Sequence, residues 1–396
     1  MRLVGFHCPR CPGAPRAACQ LHPSARSRLN ATENIASAAH EQVVFCRDAQ
    51  TGLHAIIAIH STLLGPALGG ARMYPYGSLD EALVDALRLA RGMTYKAAAA
   101  GLDLGGGKAV IIGDPASRTP EVIRAFARFV HSLGGRYLTA TDVGLKTQDL
   151  DLMRSETPFV TGTSPELGGG GDTSILTAVT VFHGLRAAAE EAFGSDDLRG
   201  LRVALQGAGK VGSKLLVHLV EGGANVVAIA DRDADNAAVL ARRFGASAVD
   251  PGDIYDVDCD IFSPNALGAV LNDDTIPRLR AKVVCGAANN QLAEDRHADA
   301  LRERGIVYAP DYLVNSGGII NIAAELEPGG YDSRRAEEMG LRVYDRTREV
   351  FRLAREHDES AASAADRLVE QRLAAAAGRG INWPWLQGVA NAAAIR

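Results

Sequence analysis

The 396-residue sequence has few aromatic residues, little excess charge and no long apolar segment. Its formal net charge is −5, so the sequence does not have the excess of basic residues that is typical of nucleic-acid-binding proteins. No apolar run approaches the roughly 18 residues that a membrane-spanning helix needs. Hydrophobic content of 47% with 22% charged residues is typical of a globular protein, and the length is sufficient for two domains. We therefore expect a globular protein that binds neither nucleic acid nor membrane.

The six cysteines do not have the pattern of a secreted disulfide framework. Cys259 and Cys285 lie in short apolar runs, where buried free thiols are common. The other four lie within the first 46 residues. This distribution favours a reducing, cytoplasmic location.

The first forty residues have no regular pattern, contain no acidic residue before Glu33 and are rich in Arg and Pro. The pairs Cys8/Cys11 and Cys19/His22 have the ligand types of a zinc site, and the acid-poor composition also fits a targeting peptide. Because the loop between the two pairs is short and interrupted by Pro, we favour a disordered extension over residues 1–40 and predict no metal.

Residues 41–165 have a mixed α/β pattern that predicts a first domain. Runs at 41–46 and 53–60 flank a turn, which indicates a β-hairpin. Residues 63–72 are punctuated by Gly and Pro and predict a loop. Ser78 is the expected N-cap of a helix from Leu79 to about Ala100. The elements expected after this helix are a strand at 109–112, a helix at 120–133 and a strand at 137–140.

A glycine motif lies between an apolar strand at 201–206 and a helix at 211–221. In GAGKVG, Gly207 allows a tight turn, Gly209 allows close approach of a pyrophosphate, and Gly212 allows the helix to pack on the strand. The helix N-terminus then faces the phosphates. A GxGxxG alone is a weak signal, but this strand–turn–helix context makes it a specific one for a dinucleotide.

Asp231 ends the next predicted strand, 226–230, and lies 19 positions after Gly212. A carboxylate there accepts hydrogen bonds from the adenosine ribose, which favours NAD over NADP. Arg232 leaves the alternative open, because an arginine at this place can bind a 2′-phosphate. Neither GGGKA nor GAGKV is a P-loop, since no Ser or Thr follows the lysine.

Two lysines stand among Ala, Gly and Leu, an environment in which a charged amine is costly. Burial of Lys96 and Lys108 should lower their pKa values toward neutrality. An acidic residue, Asp142, follows shortly after the predicted strand at 137–140. Lysines of this kind, a carboxylate and a hydride-carrying cofactor fit the oxidative deamination of an amino acid.

Asparagines follow two later predicted strands, 282–285 and 306–309. In an open parallel sheet, the carboxyl ends of the strands line the cofactor crevice. Asn289, Asn290 and Asn315 are therefore expected where nicotinamide and substrate meet, although asparagine is also an ordinary turn residue.

Several runs of the chain resemble the Glu/Leu/Phe/Val dehydrogenase family, most closely its leucine and valine dehydrogenase branch. They are PALGGARM, GMTYKAAAAGLDLGGGKAVIIGDP, GGRYLTATDVG, GAGKVG, GAANNQL and YAPDYLVNSGG, within about residues 41–375. The resemblance implies an α/β substrate and oligomerisation domain (41–165), a Rossmann-type doubly wound NAD-binding domain (166–340), and C-terminal helices that return to the first domain and end in a loose tail (341–396). It also implies a homo-oligomer.

The resemblance further implies roles for individual residues. Lys96 would bind the substrate carboxylate with help from Asn315, and Lys108 would be the catalytic lysine with Asp142 as its acid/base partner. Thr177 would contact the nicotinamide amide, and Asn289 would line the same pocket. The residues expected to bind the cofactor are Gly207, Gly209, Lys210, Val211, Gly212, Asp231, Thr177, Ala287 and Asn289.

Specificity follows from two apolar residues, Leu68 and Ile322. Glutamate-specific relatives have a lysine and a serine there, and a carboxylate against the apolar pair would cost several kcal/mol, of order 10³-fold. The pocket expected from the resemblance consists of Leu68, Gly69, Ala140, Ile319 and Ile322. We expect leucine, valine or isoleucine as substrate. The alternatives are an aromatic (phenylalanine or tryptophan) amino acid dehydrogenase and a non-catalytic protein that binds NAD or an amino acid.

Overall fold

The computed structural model describes residues 39–377, which contain two β-sheets with flanking helices. All but the last two residues of the predicted extension, with its candidate zinc ligands, lie outside the described residues. The predicted tail with Trp383 and Trp385 lies outside them as well. Among the helices that the structure describes, none is long and apolar enough to cross a membrane.

The first sheet has five strands in the order β1-β2-β4-β3-β5. Strand β2 pairs antiparallel with β1 and β4, whereas β3 pairs parallel with β4 and β5. The β1–β2 hairpin confirms the prediction from the sequence. The bounds of the strands are Gln42–Asp48 (β1), Leu53–Ser61 (β2), Ala67–Tyr74 (β3), Gly105–Ile112 (β4) and Tyr137–Thr141 (β5).

The predicted loop over residues 63–72 is wrong from Ala67 onward, because this segment forms the central strand β3. A Cβ on Gly69 would lie 1.8 Å from the carbonyl oxygen of Gly107 on β4, and one on Gly70 would lie 2.4 Å from that of Thr141 on β5. The glycines therefore allow close approach to both neighbouring strands instead of marking a loop.

Three helices accompany the first sheet: α1 (Leu79–Ala99), α2 (Pro120–Ser132) and α3 (Thr147–Arg154). The Oγ of Ser78 accepts a hydrogen bond from the amide of Glu81 at 3.1 Å, which confirms the predicted cap. Strand β4 begins at Gly105, four residues earlier than predicted. A Cβ on Gly106 would lie 2.0 Å from the amide nitrogen of Thr94, so glycine is required where β4 meets α1.

The second sheet has six parallel strands in the order β11-β10-β9-β6-β7-β8. This is the strand order of a doubly wound dinucleotide-binding fold, which confirms the predicted Rossmann-type architecture. The strands are Arg202–Gln206 (β6), Asn225–Ala230 (β7), Ser247–Ala248 (β8), Ile261–Pro264 (β9), Val283–Val284 (β10) and Val307–Tyr308 (β11). The associated helices are Ser174–Phe193 (α4), Lys210–Glu221 (α5), Ala234–Phe244 (α6) and Arg296–Glu303 (α7).

Alternate side chains of the second sheet enter separate cores. Val203 and Leu205 pack with α4 and α5, while Ala204 packs in a second cluster with Phe262 and Leu301. This alternation follows from the period of two along a strand. Both faces of the sheet are therefore covered, as parallel sheets require.

The chain then returns to the first sheet through its last helices. The guanidinium of Arg372 donates to the carbonyl of Ala98 at 2.7 Å and to Asp103 at 2.8 Å, and thereby attaches the final helix to the end of α1. The helices of this part are Asp311–Val314 (α8), Gly317–Ala323 (α9), Ser333–Leu341 (α10), Val343–His357 (α11) and Ala361–Ala376 (α12).

Candidate active site

A buried lysine–carboxylate contact lies at the first sheet. Lys108 of β4 is 6% exposed, and its Nζ lies 2.5 Å from Oδ2 of Asp142, which follows β5. The Nε of Arg72 on β3 donates to the same oxygen at 3.2 Å. Because β4 and β5 both flank β3, the three side chains converge. Asp142 therefore has two cationic partners.

Burial and charge act in opposite directions on this pair. Burial lowers the pKa of Lys108, and the neighbouring Asp142 only partly opposes that effect. Burial tends to raise the pKa of Asp142, but Lys108 and Arg72 outweigh it and hold that pKa below its usual range. The carboxylate thus stays ionised, while the amine is easier to deprotonate than an exposed lysine. A short contact of this kind can transfer a proton.

Arg72 is itself held in place by a second carboxylate. Its guanidinium donates to Oδ2 of Asp85 on α1 at 2.9 Å, and the hydroxyl of Tyr76 donates to the same oxygen at 2.6 Å. Arg72 and Asp85 are not predicted from the sequence, because the glycines before Arg72 indicate a loop where the structure has β3. Recognising the strand would have placed Arg72 beside Asp142.

Lys96 connects the two halves of the molecule. Its Nζ, on α1, donates to Oδ1 of Asn289 at 2.9 Å, in the loop that follows β10. Burial lowers the pKa of Lys96 to about 8. The amide nitrogen of Asn315 donates to the same oxygen at 2.9 Å and to the carbonyl of Ala287 at 3.1 Å. The structure therefore brings four residues of the predicted site together.

Asp311, which begins α8, is a further acidic residue at this place that is not predicted from the sequence. It is 8% exposed, and burial raises its pKa despite hydrogen bonds from backbone amides. Its Oδ2 accepts a hydrogen bond from the amide of Gln291 at 2.8 Å. The position four residues before Asn315, on the same helical turn, was the signal that could have found it.

The glycine motif has the geometry that a dinucleotide requires. Gly207 has φ +92°, and a Cβ there would lie 2.6 Å from the amide nitrogen of Ala266. A Cβ on Gly212 would lie 2.0 Å from the carbonyl oxygen of Gly207, whereas one on Gly209 would meet no atom within 4 Å. The space at Gly209 would allow a pyrophosphate to approach the backbone. Lys210 and Val211 begin α5 immediately behind it, so these residues fit the cofactor.

Asp231 is fixed beside this motif. Its two carboxylate oxygens accept hydrogen bonds from the amides of Ala208 at 2.6 Å and Asp233 at 2.9 Å. Each carboxylate oxygen has a second lone pair, so the group can still accept a ribose hydroxyl. The acidic side chain is therefore held at the end of β7.

Thr177 lies on the first turn of α4, beside the beginning of α9. Its hydroxyl donates to the carbonyl of Thr173 at 2.9 Å, and a Cβ on Gly318 would lie 3.5 Å from its Oγ1. Glycine at 318 thus leaves the hydroxyl uncovered on that side.

The apolar residues of the expected pocket share one buried cluster. Leu68, Ala140, Ile319 and Ile322 all belong to the core that joins the first sheet to α9. Gly69 lies beside them on β3, where its carbonyl accepts the hydroxyl of Tyr137 at 2.6 Å. No group of three or more His, Cys, Asp or Glu within residues 39–377 is arranged to hold a metal ion.

The fold and the site define a two-domain dehydrogenase with a Rossmann-type sheet. A family model described as Glu/Leu/Phe/Val dehydrogenase, dimerisation domain, matches residues 40–159, and the Glutamate/Leucine/Phenylalanine/Valine dehydrogenase model matches residues 235–379. The shikimate/quinate 5-dehydrogenase model matches residues 187–261.

Named relatives agree with these matches. Leucine dehydrogenase of Geobacillus stearothermophilus is 55% identical over 335 residues, 84% of this chain and 90% of the relative. Valine dehydrogenase of Streptomyces coelicolor is 52% identical over 340 residues, 85% of this chain and 93% of the relative. The crystal structure of L-tryptophan dehydrogenase from Nostoc punctiforme superposes with a TM-score of 0.78 at 42% identity, covering 87% and 99% of the two chains. The chain belongs to the Glu/Leu/Phe/Val dehydrogenase family, as its motifs predict.

Proposed function

We propose that the protein catalyses the reversible, NAD-dependent oxidative deamination of a branched-chain L-amino acid (leucine, valine or isoleucine) to the 2-oxo acid and ammonia. The observation that carries this proposal is the buried 2.5 Å contact between Lys108 and Asp142. Lys96 lies nearby and reaches the loop after β10. The leucine and valine dehydrogenases that share 50–55% identity with the chain support the substrate class.

The substrate's carboxylate binds to the ammonium of Lys96. Asn315 is the second polar group at this place, and its amide hydrogens are engaged with Ala287 and Asn289. A carboxylate would exchange with one of these contacts to reach Asn315. Lys96 is thus the principal anchor, because it offers charge as well as donors.

The chemistry that NAD would supply when bound is acceptance of a hydride from the substrate's α-carbon, which leaves an iminium ion. The residues that would hold NAD are the motif at Gly207, Gly209 and Gly212 with Lys210 and Val211, then Asp231, Thr177, Ala287 and Asn289. The open space at Gly209 fits the pyrophosphate, and Asp231 fits the ribose.

Lys108 and Asp142 then carry out the hydrolysis of the iminium ion. Neutral Lys108 takes a proton from water, and the oxygen attacks the C=N carbon to form a carbinolamine. The resulting ammonium of Lys108 stabilises the developing charge on that oxygen. The ammonium of Lys108 then protonates Asp142 across their short contact, and Asp142 passes this proton to the nitrogen. Neutral Lys108 takes the hydroxyl proton as the C–N bond breaks, and ammonia leaves with the 2-oxo acid as product. The acid and the base exchange their proton across one short contact.

The assembly and location are also part of the proposal. We propose a homo-oligomer built through the first domain, supported by the description of the family model for residues 40–159 as a dimerisation domain. A cytoplasmic location is supported by Cys46, Cys259 and Cys285, which are buried and not in disulfides.

The direct test follows NADH absorbance at alkaline pH with each of the twenty L-amino acids. We expect turnover of leucine, valine and isoleucine. Preference for tryptophan or phenylalanine would instead favour the aromatic alternative, which the tryptophan dehydrogenase neighbour represents. NADH binding without turnover of any amino acid would favour a non-catalytic binding protein.

We expect kcat/KM to be at least about tenfold higher with NAD⁺ than with NADP⁺, equivalent to about 1.4 kcal/mol. The carboxylate of Asp231, held by two backbone amides, would repel a 2′-phosphate. The guanidinium of Arg232 would instead attract a 2′-phosphate. Asp231→Asn should reduce the ratio of kcat/KM for NAD⁺ to kcat/KM for NADP⁺. Equal values in the wild-type protein would mean that Asp231 does not face the ribose.

Gly209→Ala should raise KM for NAD⁺ about tenfold or more, close to 1.4 kcal/mol, without lowering the melting temperature. The added methyl meets no protein atom within 4 Å, so it would obstruct only the ligand. Gly252→Ala is the matched control, because Gly252 also has open space around it but lies outside the motif. An unchanged KM for NAD⁺ in Gly209→Ala would place the pyrophosphate elsewhere.

A further inference from the structure

The buried carboxylate of Asp311 takes no part in the proton transfers proposed for Lys108 and Asp142. Its Oδ2 accepts a hydrogen bond from the amide of Gln291 at 2.8 Å, and the backbone amides of Asn290 and Tyr312 also donate to the group. Asn290 has φ +53°, a left-handed conformation that residues other than glycine rarely adopt. Asp311 therefore stabilises the turn at residues 289–291.

That turn fixes the partner of Lys96. The ammonium of Lys96 can only donate, so the oxygen of the Asn289 side chain must face it, at 2.9 Å. The same oxygen accepts from Asn315. Since Asn289 begins the turn that Asp311 holds, the position of Lys96 depends on Asp311 through two hydrogen-bonded steps.

Asp311 also determines the charge balance around Lys96. The charged groups that act on Lys96 are Asp311 on α8, Lys108 on β4 and Asp142 after β5. Asp142 is already paired with Lys108 and Arg72. The attraction of Asp311 is therefore the largest electrostatic contribution that favours the protonated form of Lys96.

We propose that Asp311 is the positioning residue for the substrate's carboxylate: it holds the turn at residues 289–291 and places a carboxylate that interacts electrostatically with Lys96. The inference rests on the proposed function, because it assumes that Lys96 receives a carboxylate. Asp311 thus affects the affinity for the carboxylate and does not affect the proton transfers at Lys108.

The sign of the pH dependence follows from the charge of Lys96. With a pKa of about 8, Lys96 is protonated below that pH and binds a carboxylate, and it loses this ability as the pH rises through 8. Without the charge of Asp311 the pKa of Lys96 falls further. The loss of carboxylate affinity then begins at a lower pH.

The test is the affinity of 4-methylpentanoate, which has the carbon skeleton of leucine without the amine, between pH 6.5 and 9.5. Its carboxylate is ionised throughout that range, so only groups of the protein titrate. Calorimetric titration of the protein saturated with NADH measures binding without requiring turnover. In Asp311→Asn we expect the midpoint of the affinity loss to fall by about one pH unit and affinity at pH 8 to weaken about fivefold, with kcat for leucine reduced less than about threefold.

Two further variants exclude a merely structural effect. Asp366→Asn removes another carboxylate, which accepts the hydroxyl of the adjacent Tyr312 at 2.7 Å, and should leave the pH profile unchanged. Lys96→Arg substitutes a cation that does not titrate in this range, so the profile should flatten, and Asp311→Asn should not move it in that background.

An unmoved midpoint in Asp311→Asn would overturn the inference, as would a shift that persists beside Lys96→Arg. If the wild-type protein oxidises no amino acid, the proposed function fails. The binding profile of 4-methylpentanoate still decides the role of Asp311 in that case.

Discussion

Lys108→Ala is expected to lower kcat for the oxidation of leucine by about 10³-fold or more, the upper range for loss of a general base, with NADH affinity unchanged. The reason is positional: Lys108 contacts Asp142 on the first sheet, whereas the cofactor motif belongs to the second. Steady-state turnover and NADH fluorescence titration measure the two effects separately.

The fold should survive this substitution. Asp142 keeps its contact with Arg72 at 3.2 Å, so a buried carboxylate is not left without a cation. Lys146→Ala provides the control, since Lys146 is exposed and lies four residues from Asp142. Turnover of leucine by Lys108→Ala within about tenfold of wild type, in the absence of added amine, would show that another group is the base.

The functions proposed for the two lysines differ because their surroundings differ. Lys108 lies next to an ionised acid that it can reprotonate, as a base and acid pair requires. Lys96 instead contacts an amide oxygen and is influenced by a carboxylate that it does not contact directly. Burial lowers the pKa of both lysines, so burial alone does not distinguish a base from an anchor. The hydrogen-bond partner of each ammonium distinguishes the two proposed roles.

The strand–turn–helix at the glycine motif and the burial of Lys108 were predictable because their signals are local. The glycine spacing, the strand before it and the helix after it all lie within about twenty residues, and the structure has the tight turn at Gly207 and the close packing at Gly212 that the spacing predicts. The apolar neighbours of Lys108 likewise indicated burial, and the side chain is buried.

The central strand β3 and the groups around Arg72 were not predictable in this way. The glycines in PALGGARM are typical of a loop when the sequence is considered alone. Their actual cause is the close approach of Gly107 and Thr141 from two other strands. The contacts of Arg72 with Asp85 and Asp142 likewise join three elements that are distant in the sequence. Only the tertiary arrangement reveals them.

The largest difference between substrates should be the discrimination against glutamate. We expect kcat/KM for L-glutamate to be at least about 10³-fold lower than for L-leucine, because a carboxylate against Leu68 and Ile322 would lose its hydration without a partner. Both side chains are buried in the cluster that joins the first sheet to α9. Steady-state kinetics with leucine, valine, phenylalanine and glutamate measure the difference.

Ala140→Gly probes the same pocket from β5. Removing the methyl of a side chain that is 4% exposed should create room and raise kcat/KM for phenylalanine relative to leucine by about tenfold, within the ~1–3 kcal/mol expected for a small apolar change. Asp142 lies two residues away on unchanged backbone, so kcat for leucine should fall only slightly. Ala127→Gly is a suitable control, because Ala127 is buried on α2 and is not among the residues assigned to the pocket. Rapid turnover of glutamate by the wild-type protein, or a ratio of phenylalanine to leucine that Ala140→Gly leaves unchanged, would mean that other residues form the pocket even if Lys108 and Asp142 perform the chemistry.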